Sequence, residues 1–259
     1  MSFPMTSAAG FSPDLSRLMA RGDVWRGDRL AVLPQASIAS GYQTLDAELP
    51  GGGWPQGGLT ELLMTREGIG ELSLLLPALA RLSAAGGWLA LVSPPWLPHA
   101  PAWAAAGIAP ERLLLLRPGK SGQQLAWCLE QLLASGGFAA VLGWSTNRGQ
   151  RLDAGQLRRL QVAAEGRPVF AALWRPAATA REASPAPLRL LVEDLASERA
   201  AGDGRRGRRL RLSILKRRGI PASRPLDIDL ACPGRMLRAV AGPAFSPTTA
   251  ASPACHLVA

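Results

Sequence analysis

Residues 41–76 read GYQTLDAELPGGGWPQGGLTELLMTREGIGELSLLL. YQTLDAEL has the pattern of a short helix, and GGGWPQGG of a glycine–proline turn. LTELLM follows as a buried strand, then a glycine-containing loop, then an apolar helix starting at ELSLLL. This is the layout of a phosphate-binding loop. The working pattern is G-x-x-x-x-G-K-[ST]: backbone N–H groups cradle the phosphates, Lys neutralises them and Ser/Thr holds Mg²⁺. Aligned on Gly70, this chain has T-R-E-G-I-G-E-L. Gly68 and Gly70 remain, but Thr65 stands for the first Gly, Glu71 for Lys and Leu72 for Ser/Thr. A carboxylate in such a cradle repels phosphate. It is also stable without ligand at the positive end of the following helix. The layout points to a nucleotide-binding ancestor; the residues point to lost turnover.

Working outward, strand and helix patterns alternate. ELSLLLPALARLSAA is a helix that Pro77 kinks or shortens. WLALVS is a strand, APAWAAAG a short helix, ERLLLLRP a strand, and SGQQLAWCLEQLLASGG an amphipathic helix closing at Gly136 and Gly137. FAAVLGW, DAGQLRRLQVAAEG and RPVFAALWRP continue as strand, helix and strand. The rhythm predicts an α/β fold, a mostly parallel sheet flanked by helices.

After Pro176 the rhythm changes. PLRLLVEDL, RRLRLSILKRRG, PLDIDLA and RMLRAV read as consecutive strands, an antiparallel C-terminal extension of the sheet. The polar breaks 177–187 and 196–207 read as mobile loops. Residues 1–40 read as an N-terminal arm, with Asp14 capping a short helix that docks on its own domain or on a neighbour. Residues 41–242 form the core. The tail 243–259, low in charge and rich in Pro, Ala, Ser and Thr, reads as disordered.

The chain has 259 residues, 47% of them hydrophobic, enough for one sizeable α/β domain. The N-terminus lacks the pattern of a secretory signal. No apolar run approaches the about 18 residues that span a membrane. Cys128, Cys232 and Cys255 are widely and irregularly spaced, which suits a reduced cytoplasm and no zinc site. Cys128, in LAWCLEQLL, reads as a core residue. The formal charge is +10, yet Lys120 and Lys216 are the only lysines. An arginine-, alanine- and glycine-rich chain can reflect genome composition, so the distribution of charge matters more than its sum. The densest cluster is GDGRRGRRLRLSILKRRG: Arg205, Arg206, Arg208, Arg209, Arg211, Lys216, Arg217 and Arg218.

A parallel sheet followed by an antiparallel meander is the order in RecA-type recombinase cores, and the local strings are similar. GYQTLDAELPGGGWPQGGLTEL resembles the RecA lead-in to its phosphate loop. AWAAAGIAPERLLLLRP with GQQLAWCLEQLLASGGFAAVL resembles the middle of that core, and RRLRLSILKRRGIPASRPLDIDL its late strand pair. More specifically, DVWRG, LDAELPGGGWPQGGLTELL, GIGELSLLLPALARL, VSPPWLPHAPAWAAAGI, LRRLQVAAE and LKRRG together resemble the ImuA family. These RecA-like and SulA-like proteins are accessories of bacterial translesion synthesis. The resemblance implies a RecA-like fold and a cytoplasmic role in SOS-induced mutagenesis. The implied partners are RecA, an ImuB-like polymerase relative and an alternative DnaE-type polymerase. A SulA-type division inhibitor binding FtsZ shares the degenerate core and is the alternative. A divergent DNA-dependent ATPase is the second alternative.

Against the RecA pattern, two further catalytic positions are replaced. The strand that should end in a Walker B Asp ends in Gly143 and Trp144. Pro95 or Pro94 stands where the resemblance places the Glu that activates water. With the loop, that makes three losses at three separated sites, so no cofactor, ATP included, is expected. The two RecA DNA-binding loops correspond to a nearly absent segment before DAGQL and to residues 177–187, which carry only Arg181 beside Glu182. DNA binding therefore falls to the arginine cluster, whose flexible glycines and arginines could track phosphates. The bland reading of that cluster, solvated charge on an edge strand, weighs equally. Trp96 and Trp103, on the proline-held PPWLPHAPAW, could anchor a partner; at least one is expected to cover its own domain. No metal-ligand spacing stands out.

Overall fold

The computed structural model describes residues 36–146, 148–195, 208–217 and 224–230. Residues 1–35, RMLRAV, the tail, Cys232, Cys255, Arg205, Arg206 and Arg218 lie outside the described residues, as does the break 196–207.

An eight-stranded sheet organises the chain. Its strands are β3 (Gly58–Met64), β4 (Leu89–Val92), β5 (Leu113–Leu116), β6 (Ala140–Trp144), β7 (Phe170–Pro176), β8 (Leu188–Leu195), β9 (Arg209–Lys216) and β10 (Leu226–Asp229). The spatial order is β10-β9-β8-β3-β7-β6-β4-β5. From β8 to β5 every pairing is parallel. The β8–β9 and β9–β10 pairs are antiparallel. The mostly parallel α/β sheet with an antiparallel extension is thus present, with β8 as the hinge between its two halves. A two-residue ladder, β1 (Ser37–Ile38) on β2 (Trp54–Pro55), closes the lead-in. It binds residues 37 and 38 to the core, so the arm's far end belongs to the core. The expected glycine–proline turn accordingly carries a core anchor: Trp54 is buried against Phe170, ring centroids 5.9 Å apart.

Among the described residues five helices accompany the sheet: α1 (Gln43–Asp46), α2 (Leu76–Ala84), α3 (Ala100–Ala105), α4 (Gly122–Ser135) and α5 (Ala154–Ala164). α4 and α5 begin with reciprocal capping boxes, Ser121 with Gln124 and Asp153 with Gln156. Gly136, at φ 68°, ends α4 in the left-handed conformation that glycine adopts without penalty. α2 is shorter than its apolar pattern: Pro77 sits in its first turn and the chain before Leu76 is irregular. A proline has no N–H to give to a preceding turn, so the regular helix starts there.

Parallel strands bury both faces, and the alternation shows it. Along β4, Leu89 and Leu91 belong to one core, Ala90 and Val92 to the other. The first core contains α2 with Trp103, Trp144 and Trp174; the second contains the apolar stripes of α4 and α5. Cys128 packs partly buried against the second core, and burial pushes its thiol pKa up, away from reactivity.

Candidate functional site: a degenerate nucleotide loop

The loop after β3 lies between the carboxyl ends of the parallel strands and the antiparallel extension, where open α/β sheets place ligands. Gly68 and Gly70 have φ of 76° and 97°, values that side-chain-bearing residues rarely adopt. Glu71 does not sit on a helix N-terminus, because α2 starts five residues later. Instead it turns into its own loop, where its carboxylate accepts the Gly68 N–H at 3.2 Å. Only 6% of Glu71 is exposed. From the other side Arg208 donates Nη1 to the Gly68 carbonyl at 2.6 Å. Leu230 closes on Gly70, whose added Cβ would stand 2.6 Å from the leucine Cδ1. Both backbone polar groups of Gly68 are therefore engaged within the protein. The fourth candidate position, Thr65, is exposed, and Leu72 lines the cleft beside the loop.

The other two nucleotide positions are filled by packing. An added Cβ at Gly143 would meet both Leu129 methyls at 2.9 Å, so α4 fills the place of a Walker B side chain. Trp144 is buried and stacks on Trp174, centroids 4.2 Å apart and planes 10° apart. Pro95 belongs to the rim of a cleft of about 260 Å³, which is also lined by Glu71, Leu72, Leu91, Trp144 and Arg208. At the aligned positions stand Glu71, Leu72, Gly143, Trp144 and Pro95 in place of Lys, Ser/Thr, Asp and Glu; the loop's own cation, Arg66, pairs with Asp194. The tryptophan pair separates: Trp103 is buried in the first core, whereas Trp96 is 71% exposed on the cleft rim. Trp103 is therefore a core residue and not a surface contact.

The arginine cluster is largely engaged. Arg209 and Arg211 on β9 make two-pronged pairs with Asp229 and Asp227 on β10, all between 2.7 and 3.1 Å. Hydrogen bonds from Arg209 and Arg211 hold these carboxyls below their ordinary pKa. Arg217 is buried on Glu48, and Lys216 donates to the Ser184 carbonyl at 2.8 Å. With Arg208 on Gly68, all five described members of the cluster have internal partners. Arg209 and Arg211 stay about half exposed while paired.

One group of functional weight escaped the sequence reading. Glu61, in the middle of β3, is fully buried. Its carboxylate receives Arg189 Nε at 2.8 Å, Arg175 Nη1 at 3.3 Å and Ser184 Oγ at 2.5 Å. Arg175 also reaches Glu182 at 3.0 Å, and Glu182 pairs with Arg151. Arg189 donates to the carbonyls of Thr179, Ala180 and Glu182. Residues 177–187, expected as a mobile loop, are thus a short 3₁₀ turn (Ala177–Arg181) and a segment pinned to a buried ionic cluster. The available signal was a charge set among apolar residues in each of three strands: Glu61 in LTELLM, Arg175 in FAALWRP and Arg189 in PLRLL.

Among the described residues no helix is long and apolar enough to cross a membrane, and no three His, Cys, Asp or Glu side chains converge as metal ligands. No protein-family model matches the chain. It is 34% identical to RecA of Chlorobaculum parvum over 132 residues, covering 49% of this chain and 37% of that protein. It is 33% identical to RecA of Chlorobium limicola over the same length, covering 36% of that relative. The chain thus spans little more than a third of the length of these relatives. Strand order, the loop's position and this half-chain similarity agree: the fold is RecA-like, and the chain is distantly similar in sequence to RecA proteins over about half its length.

Proposed function

We propose that this chain is a non-hydrolysing, RecA-like accessory of SOS-induced translesion synthesis in the bacterial cytoplasm. In this reading it works in DNA repair through protein contacts with an ImuB-like polymerase relative and RecA, and through them with a DnaE-type polymerase. One observation carries the loss of catalysis: the nucleotide loop is closed on its own Glu71 and Arg208. Removing a single electrostatic stabiliser from an active site typically costs roughly 3–4 kcal/mol in the transition state. Here the Lys, the Walker B acid and the water-activating Glu are all replaced, so neither ATP turnover nor a resident nucleotide is part of the mechanism. The engaged arginines favour protein partners over DNA. The choice of partners rests on the ImuA-like strings.

The test is capture by the purified full chain, at moderate salt with nuclease, of ImuB-like protein, RecA and FtsZ from the same organism. An ATPase assay with single-stranded DNA runs beside it. Retention of ImuB-like protein or RecA without ATP turnover is the expected outcome. Retention of FtsZ alone would move the protein to division control, and turnover of ATP would overturn the reading of the loop.

A further inference from the structure

Glu71 is anomalous beside the other deeply buried carboxylate. Glu61 has two arginines and a hydroxyl. Glu71, with 6% exposure, has the Gly68 N–H and no ion pair among the described residues. Arg208 approaches the same loop but gives its Nη1 to a backbone carbonyl. One neutral N–H offsets only part of the cost of taking a carboxylate out of water. Around Glu71 the cleft is apolar, with Leu72, Leu91 and Trp144 in its lining and a proline-held rim that presents Trp96 to solvent. Leu97 beside it is 68% exposed. Apolar walls strengthen the attraction of Glu71 for an incoming cation. An exposed indole offers its face to a guanidinium. Arg208 also lines the cleft, but its Nη1 is given to the Gly68 carbonyl and it makes no ion pair with Glu71; a neutral side chain would remove water from Glu71 without replacing it. The cleft, about 260 Å³, is below the roughly 300–1,000 Å³ of small-molecule sites and suits a single inserted side chain.

We propose that this cleft receives an arginine side chain of a partner protein, its guanidinium on Glu71 and its stem against Trp96. A loop layout that elsewhere holds an anion here holds a cation. The inference rests on the partner-binding reading above and names the chemistry of one contact.

The probe is Nα-acetyl-arginine N-methylamide, with its citrulline counterpart as a neutral isostere. Both are titrated into the full-length chain and followed by amide and indole NMR shifts. Arginine amide is expected to shift the Gly68 and Glu71 amides and the Trp96 indole with a Kd in the millimolar range, near the weak end of the affinity scale. Citrulline amide should bind at least about tenfold more weakly, as should arginine amide to Glu71→Gln, the loss of roughly one charged contact. The glutamine oxygen still accepts the Gly68 N–H, so the loop keeps its shape. Trp96→Ala, on an exposed rim, provides a second variant and should weaken binding several-fold. Equal binding of arginine and citrulline, undiminished binding by Glu71→Gln, or binding of inorganic pyrophosphate in place of arginine would overturn the inference. The two proposals fail separately. A captured partner that binds Glu71→Gln and wild type alike, with no response to the probe, removes only the arginine contact. Arginine binding with no captured partner removes only the proposed role.

Discussion

Two places in the molecule bury an acidic side chain, Glu61 and Glu71, and they do so in opposite ways. Beside residues 177–187, Glu61 meets Arg175 and Arg189, and Arg175 also reaches Glu182, so that each charge has a partner. Across β3, in the cleft, Glu71 has one backbone N–H. The first arrangement is closed and holds a segment in place; the second keeps a carboxylate facing an apolar opening.

The comparison breaks most visibly at Glu61. Glu61→Ala leaves Arg175 and Arg189 buried without their carboxylate, and removing one partner of a buried ion pair typically costs about 3–5 kcal/mol. The urea midpoint should fall accordingly, and amide exchange in 177–187 should accelerate with it. Glu61→Gln, still an acceptor but uncharged, should lose less. A change below about 1 kcal/mol, the level of an exposed pair, would mean that the cluster holds nothing.

On the sheet face opposite the cleft, where Leu129 belongs to the second core, the sharpest probe is Gly143. Gly143→Ala drives a Cβ toward both Leu129 methyls, 2.9 Å away, and overpacking of this kind costs roughly 1–3 kcal/mol. Leu129→Ala costs stability by itself, but the double variant should be more stable than the sum of the two, because the cavity admits the new methyl. Strict additivity in chemical denaturation would show that α4 does not fill the Walker B position. Gly143→Asp should be no better at turning over ATP than wild type, since the Lys and the water-activating Glu are also missing.

This contrast also separates what the sequence disclosed from what it hid. Local signals carried far: the capping boxes at Ser121 and Asp153, Pro77 at the start of α2, and the shift from alternation to consecutive strands after Pro176 all have short-range physical causes. The lost loop residues were visible because Glu71 and Leu72 stand in register with Gly70. Long-range pairing was hidden. Glu61 and Arg189 lie 128 positions apart and become direct neighbours only when β3 and β8 pair. Residues 177–187 therefore read as a loose loop. The pairing of the arginine run was hidden for the same reason. Its partners Asp227 and Asp229 stand on the following strand, and only the antiparallel register places Arg211 opposite Asp227 and Arg209 opposite Asp229. Of the two tryptophans, one of which was expected to cover its own domain, only the structure tells that it is Trp103 that turns inward.

A smaller effect sharpens the link between the extension and the cleft. Arg208 is exposed, and its bond to the Gly68 carbonyl falls in the range of about 0.5–1.5 kcal/mol for an ordinary hydrogen bond. Arg208→Ala should shift the melting temperature slightly and move the Gly68 and Gly70 amide resonances more than any in 177–187. Equal movement in both regions would mean that the two are coupled through β3 and are not independent.

The smallest effects lie in the ladder of β9 on β10, and here pH is the readout. Hydrogen bonds from Arg211 and Arg209 depress the Asp227 and Asp229 carboxyls. A carboxyl depressed in the folded state contributes stability above its unfolded pKa, about 3.9, and loses that contribution as pH falls through the lower folded value. The pairs should therefore persist through neutral and mildly acidic solution, and carboxyl ¹³C titration should place both midpoints below that of an unstructured Asp. The pairs are exposed, so the depression should shrink toward about 1 M salt, where the screening length is roughly 3 Å. A midpoint at the ordinary value would show that the arginines are solvated and not paired. The same pairs set how the strand looks to a polyanion. With both aspartates present, Arg209 and Arg211 are neutralised locally; Asp227→Asn combined with Asp229→Asn leaves two unneutralised guanidiniums on one exposed face. That double variant should elute from heparin at higher salt than wild type. Identical elution would mean that the aspartates do not mask the arginines, and the nucleic-acid reading of this strand would regain its force.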